Sequence, residues 1–338
     1  MPDFIYPTNA ELQYIMQEKT PTLLLDDPVF AIMPPVNVDA AVLIWEQMDN
    51  FLGLQQVRGI DGQPSRVASV GGKRYVVTPG YYGEFATIDE VELTQRRSFG
   101  SFATDITIAD LVAMRQDQLL SRRIDRWRFI AWTLLTTGTF TVTNTNGVAI
   151  HTDTFSLSTF TAGIAWATVA TATPIANLRA IKLLARGRGV DFGGRATLYI
   201  NQTTANSLLN NTNANDVFGR RVAGFTSINN ISAVNGILMG DDLPAIVVYD
   251  GGYLDSTGTF QLFIADGKGV LVGARPAGQT IGDLALTRNA NNPNMEPGAY
   301  SKIVDRGVNE VPRIIEVHDG ANVAPRIYYP GSVVRINV

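Results

Sequence analysis

The chain has 338 residues, with 27 Lys and Arg against 31 Asp and Glu, so its formal net charge is −4 when both histidines are neutral. This balance argues against a protein that binds nucleic acid through a broad positive surface. The absence of cysteine excludes disulfide scaffolds, Cys-ligated metal centres and thiol nucleophiles. Charged residues form only 17% of the chain. Much of the surface must therefore consist of neutral polar side chains. A surface poor in charge is typical of a chain that is partly buried by partner subunits.

Residues 1–55 combine short helical patches with prolines at positions 7, 21, 28, 34 and 35. Because each proline disfavours helix in the residue before it, this stretch is predicted to be an arm of short helices and extended connections. The arm is expected to lie either on the body of its own subunit or on a neighbour. Its first residues lack the basic start and apolar run of a secretion signal. We therefore expect synthesis in a cytoplasm and no membrane segment.

Residues 56–104 follow a period of two, which is typical of strands. Four short runs carry the pattern, at 66–70, 74–78, 84–88 and 91–94, and glycine-rich turns at 71–72 and 79–83 separate them. The pattern predicts a long β-hairpin that forms an extended loop. An isolated two-stranded ribbon is marginal in water, so this loop is expected to pack against another surface.

A long helix is predicted from 108 to 136. Thr107 and Asp110 have the spacing of a capping box at its start. Apolar residues then recur at helical spacing, without proline or glycine until Gly138. Such a helix is about 40 Å long at roughly 1.5 Å per residue, which is the length of a structural spine.

The predicted spine helix is rich in arginine, and two interpretations compete. One is a nucleic-acid contact; the favoured one is a solvated or subunit-facing edge whose charge Asp110, Asp117 and Asp125 partly offset. We hypothesise that acids of the preceding loop on one subunit pair with these arginines on the next. The candidate interface residues are Arg115, Arg122, Arg123, Arg126, Glu84, Asp89, Glu90 and Glu92.

The rest of the chain alternates strands and helices without a regular repeat, which predicts an α+β fold. Thr-rich strands are expected over 139–173, helices over 174–188 and 203–209, and an Asn-rich loop over 210–215. Further strands are predicted at 196–200, 245–249, 260–265, 270–272, 313–317, 326–329 and 333–338.

The sequence offers weak support for catalysis, and we predict no enzyme, no catalytic residue, no cofactor and no metal. The glycines at 187 and 189 end a helix instead of beginning one, so they do not form a phosphate-binding loop. The adjacent pairs at 26–27 and 241–242 are expected to serve turns or caps. His151 and His318 are expected to be structural. An α+β enzyme with a dispersed active site remains the alternative from another class.

Four short pieces in a fixed order carry a family resemblance. They are GGKRYVVTPG at 71–80, ITIADL at 106–111, LLTTG at 134–138, and DTF at 153–155 followed by Trp166 and Pro174. In this order they resemble the lambda-like capsid protein E family of major capsid proteins from tailed phages. Thr154 and Ser156 depart from the Asp-Phe-Gly pattern associated with that family.

The resemblance implies the Hong Kong 97-like phage capsid fold in five parts. These are an N-terminal arm (1–55), an extended loop (56–104), a peripheral domain with the spine helix (105–189), an axial domain (190–310) and C-terminal strands that return to the peripheral domain (311–338).

The resemblance also implies a function. The chain would be a major capsid protein that assembles with itself into hexamers and pentamers of an icosahedral shell around double-stranded DNA. Its implied partners are a separate scaffolding protein, a portal and optionally a decoration protein, and its place is the virion. An encapsulin-type compartment shell is the alternative within the same fold. Some relatives join a lysine covalently to an Asn of a neighbouring subunit, and Lys73 is the candidate for such a crosslink here, but a solvated turn residue is the favoured interpretation.

Overall fold

A computed structural model describes residues 9–48, 54–58, 60–64, 66, 72–95, 107–144, 146–219, 230–255, 257–275, 279–305 and 311–338. In these ranges the helices are α1 (Asn9–Leu25), α2 (Val29–Ile32), α3 (Glu90–Gln95), α4 (Ile108–Thr137), α5 (Pro174–Leu183), α6 (Gln202–Leu209), α7 (Thr212–Gly219) and α8 (Ile231–Gly240). Helices and strands alternate irregularly, which confirms the predicted α+β class.

The strands are β1 (Pro35–Asn37), β2 (Leu43–Met48), β3 (Gly72–Val77), β4 (Gly80–Ile88), β5 (Thr139–Thr143), β6 (Ala149–Thr154), β7 (Ser158–Thr161), β8 (Thr197–Ile200), β9 (Ala245–Val248), β10 (Gly252–Leu254), β11 (Phe260–Leu262), β12 (Lys268–Val272), β13 (Gly282–Leu286), β14 (Ala299–Asp305), β15 (Ile315–Ile327) and β16 (Val333–Asn337). Among the described residues, no helix is both long enough and apolar enough to cross a bilayer.

The chain divides into two compact units, each assembled from three segments. Unit 1 comprises Met1–Leu43, Val77–Ala131 and Asp283–Arg326, and unit 2 comprises Ile44–Val76, Trp132–Gly282 and Ile327–Val338. The predicted boundary at 189–190 falls inside the second segment of unit 2. The assignment of peripheral and axial domains stays a prediction.

Unit 1 is built around β15, a strand of 13 residues. The sheet has the order β1-β13-β15-β14, and β4 also pairs with β15. Both β14 and β4 run antiparallel to β15. One apolar cluster joins this sheet to α1 and α4; its buried members are Leu12, Ile88, Leu111, Val112, Leu119, Ile315 and Val317. The first helix of the predicted arm therefore lies on its own subunit.

The long helix α4 forms because its local sequence defines both ends. The Asp110 amide donates a hydrogen bond of 3.1 Å to Thr107 Oγ1, which is the predicted cap. At the other end Gly138 adopts a φ of 75°, and its amide donates to the Leu134 carbonyl at 2.8 Å. A left-handed glycine of this kind ends a helix at little steric cost. The prediction of 108–136 is confirmed to within one residue.

Unit 2 is a five-stranded sheet in the order β7-β16-β12-β8-β9. Helices α5 to α8 contribute to an apolar core whose largest fully buried side chains include Trp166, Phe192 and Phe218. Three two-stranded ribbons, β2–β3, β5–β6 and β10–β11, lie outside this sheet.

The predicted long hairpin is wrong for the described residues. Strand β3 pairs with β2, whereas β4 pairs with β15. Both runs form strands, but they do not pair with each other. Strand β4 pairs with β15 because this pairing buries apolar side chains on both strands, as at Ile88 and Ile315. Most of the predicted strand at 66–70, and residues 96–104, lie outside the described residues.

Four local predictions are also wrong. Residues 91–94 belong to helix α3, because Asp89 Oδ1 accepts a hydrogen bond from the Glu92 amide and caps a helical turn. The Asn-rich stretch at 210–215 begins helix α7, with Asn211 as its capping side chain. Pro21 lies inside α1 instead of ending it. Residues 315–317 and 326–327 are strand as predicted, but the predicted break between them is wrong because both belong to one strand, β15.

Candidate assembly surface

The arginine-rich face of α4 lies against the sheet of unit 1. Arg123 is buried and its Nη1 donates to both carboxylate oxygens of Asp319, at 2.9 and 2.8 Å. Burial raises the pKa of Asp319 to about 6, against the opposing effect of the Arg123 guanidinium. A buried guanidinium cannot contact a phosphate backbone. Within one chain Arg123 therefore joins helix α4 to strand β15 instead of binding nucleic acid, and its role between subunits stays a prediction.

Two further arginines of α4 pair with acids from the preceding segment. Arg122 binds Glu84 of β4 through two hydrogen bonds, Nε to Oε2 at 2.5 Å and Nη2 to Oε1 at 2.9 Å. Arg115 Nη2 binds Glu92 Oε1 of α3 at 2.5 Å. The hydrogen bond from Arg122 holds the pKa of Glu84 below its usual value. Two of the predicted arginines thus pair with two of the predicted acids within one chain, whereas the hypothesis placed such pairs between subunits.

The other predicted interface residues are placed differently. The Arg126 guanidinium lies 5.4 Å from the Tyr82 ring centre, a cation–π contact. Burial raises the pKa of the Tyr82 phenol. Asp89 caps α3, and Glu90 is exposed in its first turn. The role of these residues between subunits stays a prediction.

A groove of about 600 Å³ separates β4 from α4. It is lined by residues 83–87 of β4 and by Arg115, Gln118, Leu119 and Arg122 of α4. In the described part of the sheet β4 pairs on one side only, with β15. The groove therefore combines an open strand edge, an apolar floor at Leu119 and Ala86, and two fixed ion pairs. An open strand edge offers backbone groups that an extended segment can pair with.

Sequence reasoning missed Asp319 and Tyr82, the partners of Arg123 and Arg126. Asp319 follows Val317 and His318 in a strand-like run, where an acidic residue on a buried face is a signal for a paired cation. Its partner is 196 residues away in sequence. Spacing alone does not identify such a pair.

The remaining candidate residues have structural contacts. The His318 ring stacks on the Phe85 ring, with 5.2 Å between the ring centres. His318 Nε2 lies 3.0 Å from Glu316 Oε2. His151 packs edge-on against Phe140. Lys73 Nζ donates to Ser156 Oγ at 3.3 Å.

The aspartate pairs serve the turns that the sequence predicts. Asp27 Oδ1 accepts from the Val29 amide at the start of α2. Asp241 and Asp242 follow α8, where Asp242 pairs with Lys182. Among the described residues, no group of three or more His, Asp and Glu side chains is arranged to hold a metal.

Several solved structures share this fold, and three of them come from phages or phage-related particles and proteins. A phage-related protein from Bordetella bronchiseptica RB50 matches with a TM-score of 0.56 and 11% identity over 98% of both chains. The mature capsid of bacteriophage PhiM1 matches with a TM-score of 0.50 and 10% identity, over 91% of this chain and 86% of that one. The capsid of a native GTA particle matches with a TM-score of 0.50 and 13% identity, over 92% and 89%. These likenesses define a phage capsid fold.

The family follows from the sequence itself. The model of the phage major capsid protein E family matches residues 12–317, so the chain belongs to that family. No curated protein sequence matches the chain. Membership confirms the predicted family and the role of a structural protein of the virion, and it favours the phage capsid over the encapsulin-type compartment.

Proposed function

We propose that this capsid protein assembles from copies of itself into hexamers and pentamers of an icosahedral shell around the double-stranded DNA of a tailed phage. The proposed arrangement is of the Hong Kong 97 type, with an extended loop that lies across a neighbouring subunit. A separate scaffolding protein, a portal and optionally a decoration protein complete the proposed set of partners. Synthesis takes place in the host cytoplasm, and the role involves no catalysis.

One observation carries the proposal, the exposure of the loop segment, which comprises residues 54–58 and 60–64. Leu54, Val57 and Ile60 are 97%, 98% and 96% exposed. Full burial of such a side chain contributes roughly 1.5–3 kcal/mol. No described part of the chain covers these three apolar side chains, which favours a function in which another subunit covers them.

The groove between β4 and α4 is the surface we assign to receive this segment on a neighbouring copy. Its open strand edge supplies backbone pairing, and Phe85, which lines the groove and is 58% exposed, supplies apolar contact. The ion pairs of Arg115 with Glu92 and of Arg122 with Glu84 hold both sides of the groove in place before binding. In this arrangement Arg115, Arg122, Glu84 and Glu92 lie at the subunit interface while they pair within their own subunit.

The near-neutral charge supports enclosure of DNA without sequence-specific binding. With a net charge of −4, the chain lacks the excess of Lys and Arg that neutralises many phosphates. A shell that binds its DNA weakly allows the DNA to move during packaging and release.

The test compares wild type with the triple variant Leu54→Ser, Val57→Ser and Ile60→Ser. Sedimentation velocity and negative-stain microscopy measure the assembled fraction. We expect rings and closed shells for wild type and unassembled chains with an unchanged circular dichroism spectrum for the triple variant. The matched control, Gln55→Ser with Gln56→Ser, changes the same segment without removing apolar area and should assemble. Normal shells from the triple variant would contradict the proposal.

A further inference from the structure

The β2–β3 ribbon carries the loop segment, because that segment lies between the two strands in the chain. The side chains of the ribbon alternate between a covered and an exposed face. Trp45 and Tyr75 are buried, whereas Ile44 and Val76 are 53% and 56% exposed. This period of two shows that one face of the ribbon lies on the body of its own chain. A two-stranded ribbon is marginal in water by itself, so this contact decides whether the ribbon keeps a fixed direction.

An aromatic stack joins the covered face of the ribbon to the rest of unit 2. The Trp45 ring centre lies 5.3 Å from that of Tyr75 and 6.1 Å from that of Phe155, and the Tyr75 and Phe155 centres are 5.4 Å apart. Phe155 is buried directly after strand β6. Trp45 Nε1 also donates a hydrogen bond of 3.0 Å to the Ile327 carbonyl. All four residues belong to unit 2, so three packed rings and one directed bond tie the ribbon to its own unit.

Lys73 adds a second tie beside this stack. Its Nζ lies 4.9 Å from the centre of the Tyr75 ring, which is a cation–π contact, and donates a hydrogen bond of 3.3 Å to Ser156 Oγ. Ser156 follows Phe155 in the chain. Two side chains of β3 therefore contact two adjacent residues outside the ribbon. Contacts at two points resist rotation of the ribbon, whereas a single point would act as a pivot.

We propose that the stack of Trp45, Tyr75 and Phe155 is a positioning device that fixes the direction in which the ribbon presents the loop segment. The inference rests on the proposed function, in which a neighbouring copy covers that segment. An anchored ribbon confines the segment to a small volume, which raises its effective concentration at the groove of a neighbour. It also lowers the entropy that is lost on binding. The stack therefore acts on assembly through the ribbon, although its own rings are buried within one chain.

The first test measures the direction of the ribbon in the full chain, kept below its assembly concentration. Because the chain contains no cysteine, Glu46→Cys on the exposed face of the ribbon and Thr203→Cys on α6 accept one spin label each. Pulsed electron paramagnetic resonance then gives the distribution of distances between the labels. We expect a narrow distribution with the stack intact and one at least about twofold wider after Trp45→Leu, because the ribbon has lost its support. Tyr75→Phe keeps the ring, is the matched control and should leave the distribution narrow.

The second test measures assembly of the same stack variants without labels. The concentration for half-assembly should rise about tenfold for Trp45→Leu, because the loop segment then samples a larger volume. Tyr75→Phe should assemble like wild type. Phe155→Leu guards against a folding defect of Trp45→Leu, because it removes the stack from the other side while keeping an apolar side chain, and both measurements should change in the same direction.

The outcomes separate positioning from a purely structural role. If the stack only stabilised the fold, Trp45→Leu and Phe155→Leu would melt at lower temperature with an unchanged distance distribution, and the inference would be wrong. A broad distribution with the stack intact, or wild-type assembly despite a widened one, would also overturn it. Failure of wild type to assemble would instead overturn the proposed function, while the distance distributions would still show whether the stack fixes the ribbon.

Discussion

The two units of the chain use charge in opposite ways. Unit 1 contains 20 Asp and Glu against 13 Lys and Arg, a net charge of −7, whereas unit 2 contains 11 against 14, a net charge of +3. Unit 1 nevertheless buries charged pairs, such as Arg123 with Asp319 and Arg326 with Asp283. Each of these pairs joins one acid to one base, so unit 1 buries charge while its net charge of −7 lies on its other side chains.

Unit 2 buries neutral polar groups instead. Asn201 caps α6, accepting from the Thr204 amide at 2.9 Å. Asn211 caps α7 and also donates to the Val169 carbonyl at 3.0 Å. Neutral hydrogen bonds do not titrate near neutral pH. From this difference we expect the stability of unit 1 to change with pH and with removal of one partner of a buried ion pair. The stability of unit 2 should change mainly when an apolar core side chain is made smaller.

The largest expected effect is loss of a core aromatic in unit 2. Trp166 is 1% exposed. Trp166→Ala should lower the free energy of unfolding by about 3–5 kcal/mol, because it leaves a cavity. Urea unfolding at several pH values measures this, and the loss should stay the same from pH 5 to pH 8. If the loss of unfolding free energy varied strongly between pH 5 and pH 8, the stability of unit 2 would depend on pH and the contrast with unit 1 would be wrong.

Removing one partner of the buried pair in unit 1 comes next. Arg123→Leu leaves Asp319 buried without its cation and should cost about 3 kcal/mol of stability. The double variant Arg123→Met with Asp319→Leu removes both charges and should recover most of that loss. A double-mutant cycle from urea unfolding checks this. Additive losses in the double variant would show that the two side chains act independently.

The pH dependence of unit 1 gives a third, smaller effect. The pKa of Asp319 is about 6 in the folded chain, above the ordinary value of 3.8. Its folded form therefore binds the proton more tightly, and protonation stabilises the fold. Relative to Asp319→Asn, wild type should gain on the order of 2 kcal/mol as pH falls from about 7 to about 4. Parallel stability curves for the two proteins would contradict this assignment.

The smallest effect on stability is expected at the exposed pair. The Arg122 and Glu84 side chains are 61% and 50% exposed. Arg122→Gln should cost at most about 1 kcal/mol of folding free energy. The same variant should reduce assembly clearly if the groove binds a neighbouring copy, and Lys19→Gln, which removes another exposed pair on α4, should not. Sedimentation velocity beside urea unfolding separates the two effects.

The sequence predicts best where structure is local. Helix α4 follows from the Thr107 cap, the apolar spacing and Gly138, all within one stretch of chain. The pairing of β4 with β15 is not predictable in this way, since a strand pattern does not name its partner. The same holds for Arg123, whose charge is visible in sequence while its burial against Asp319 depends on the tertiary fold.

The errors have equally local causes. Residues 91–94 include Val91 and Thr94, which favour strands, yet the cap from Asp89 selects a helix. Pro21 removes one backbone hydrogen bond from the interior of α1, but burial of Leu12 and Met16 outweighs this cost. The charged residues of the candidate site could be predicted from the sequence. The groove between β4 and α4 could not, because it depends on how the two elements pack in the tertiary structure.

Hydrogen–deuterium exchange of the loop segment tests the central claim most directly. The backbone amides of residues 54–58 and 60–64 should exchange rapidly in the unassembled chain and at least about tenfold more slowly in assembled particles, because another subunit then covers them. Equal, fast exchange in both states would show that assembly leaves this segment uncovered, and the account would be contradicted.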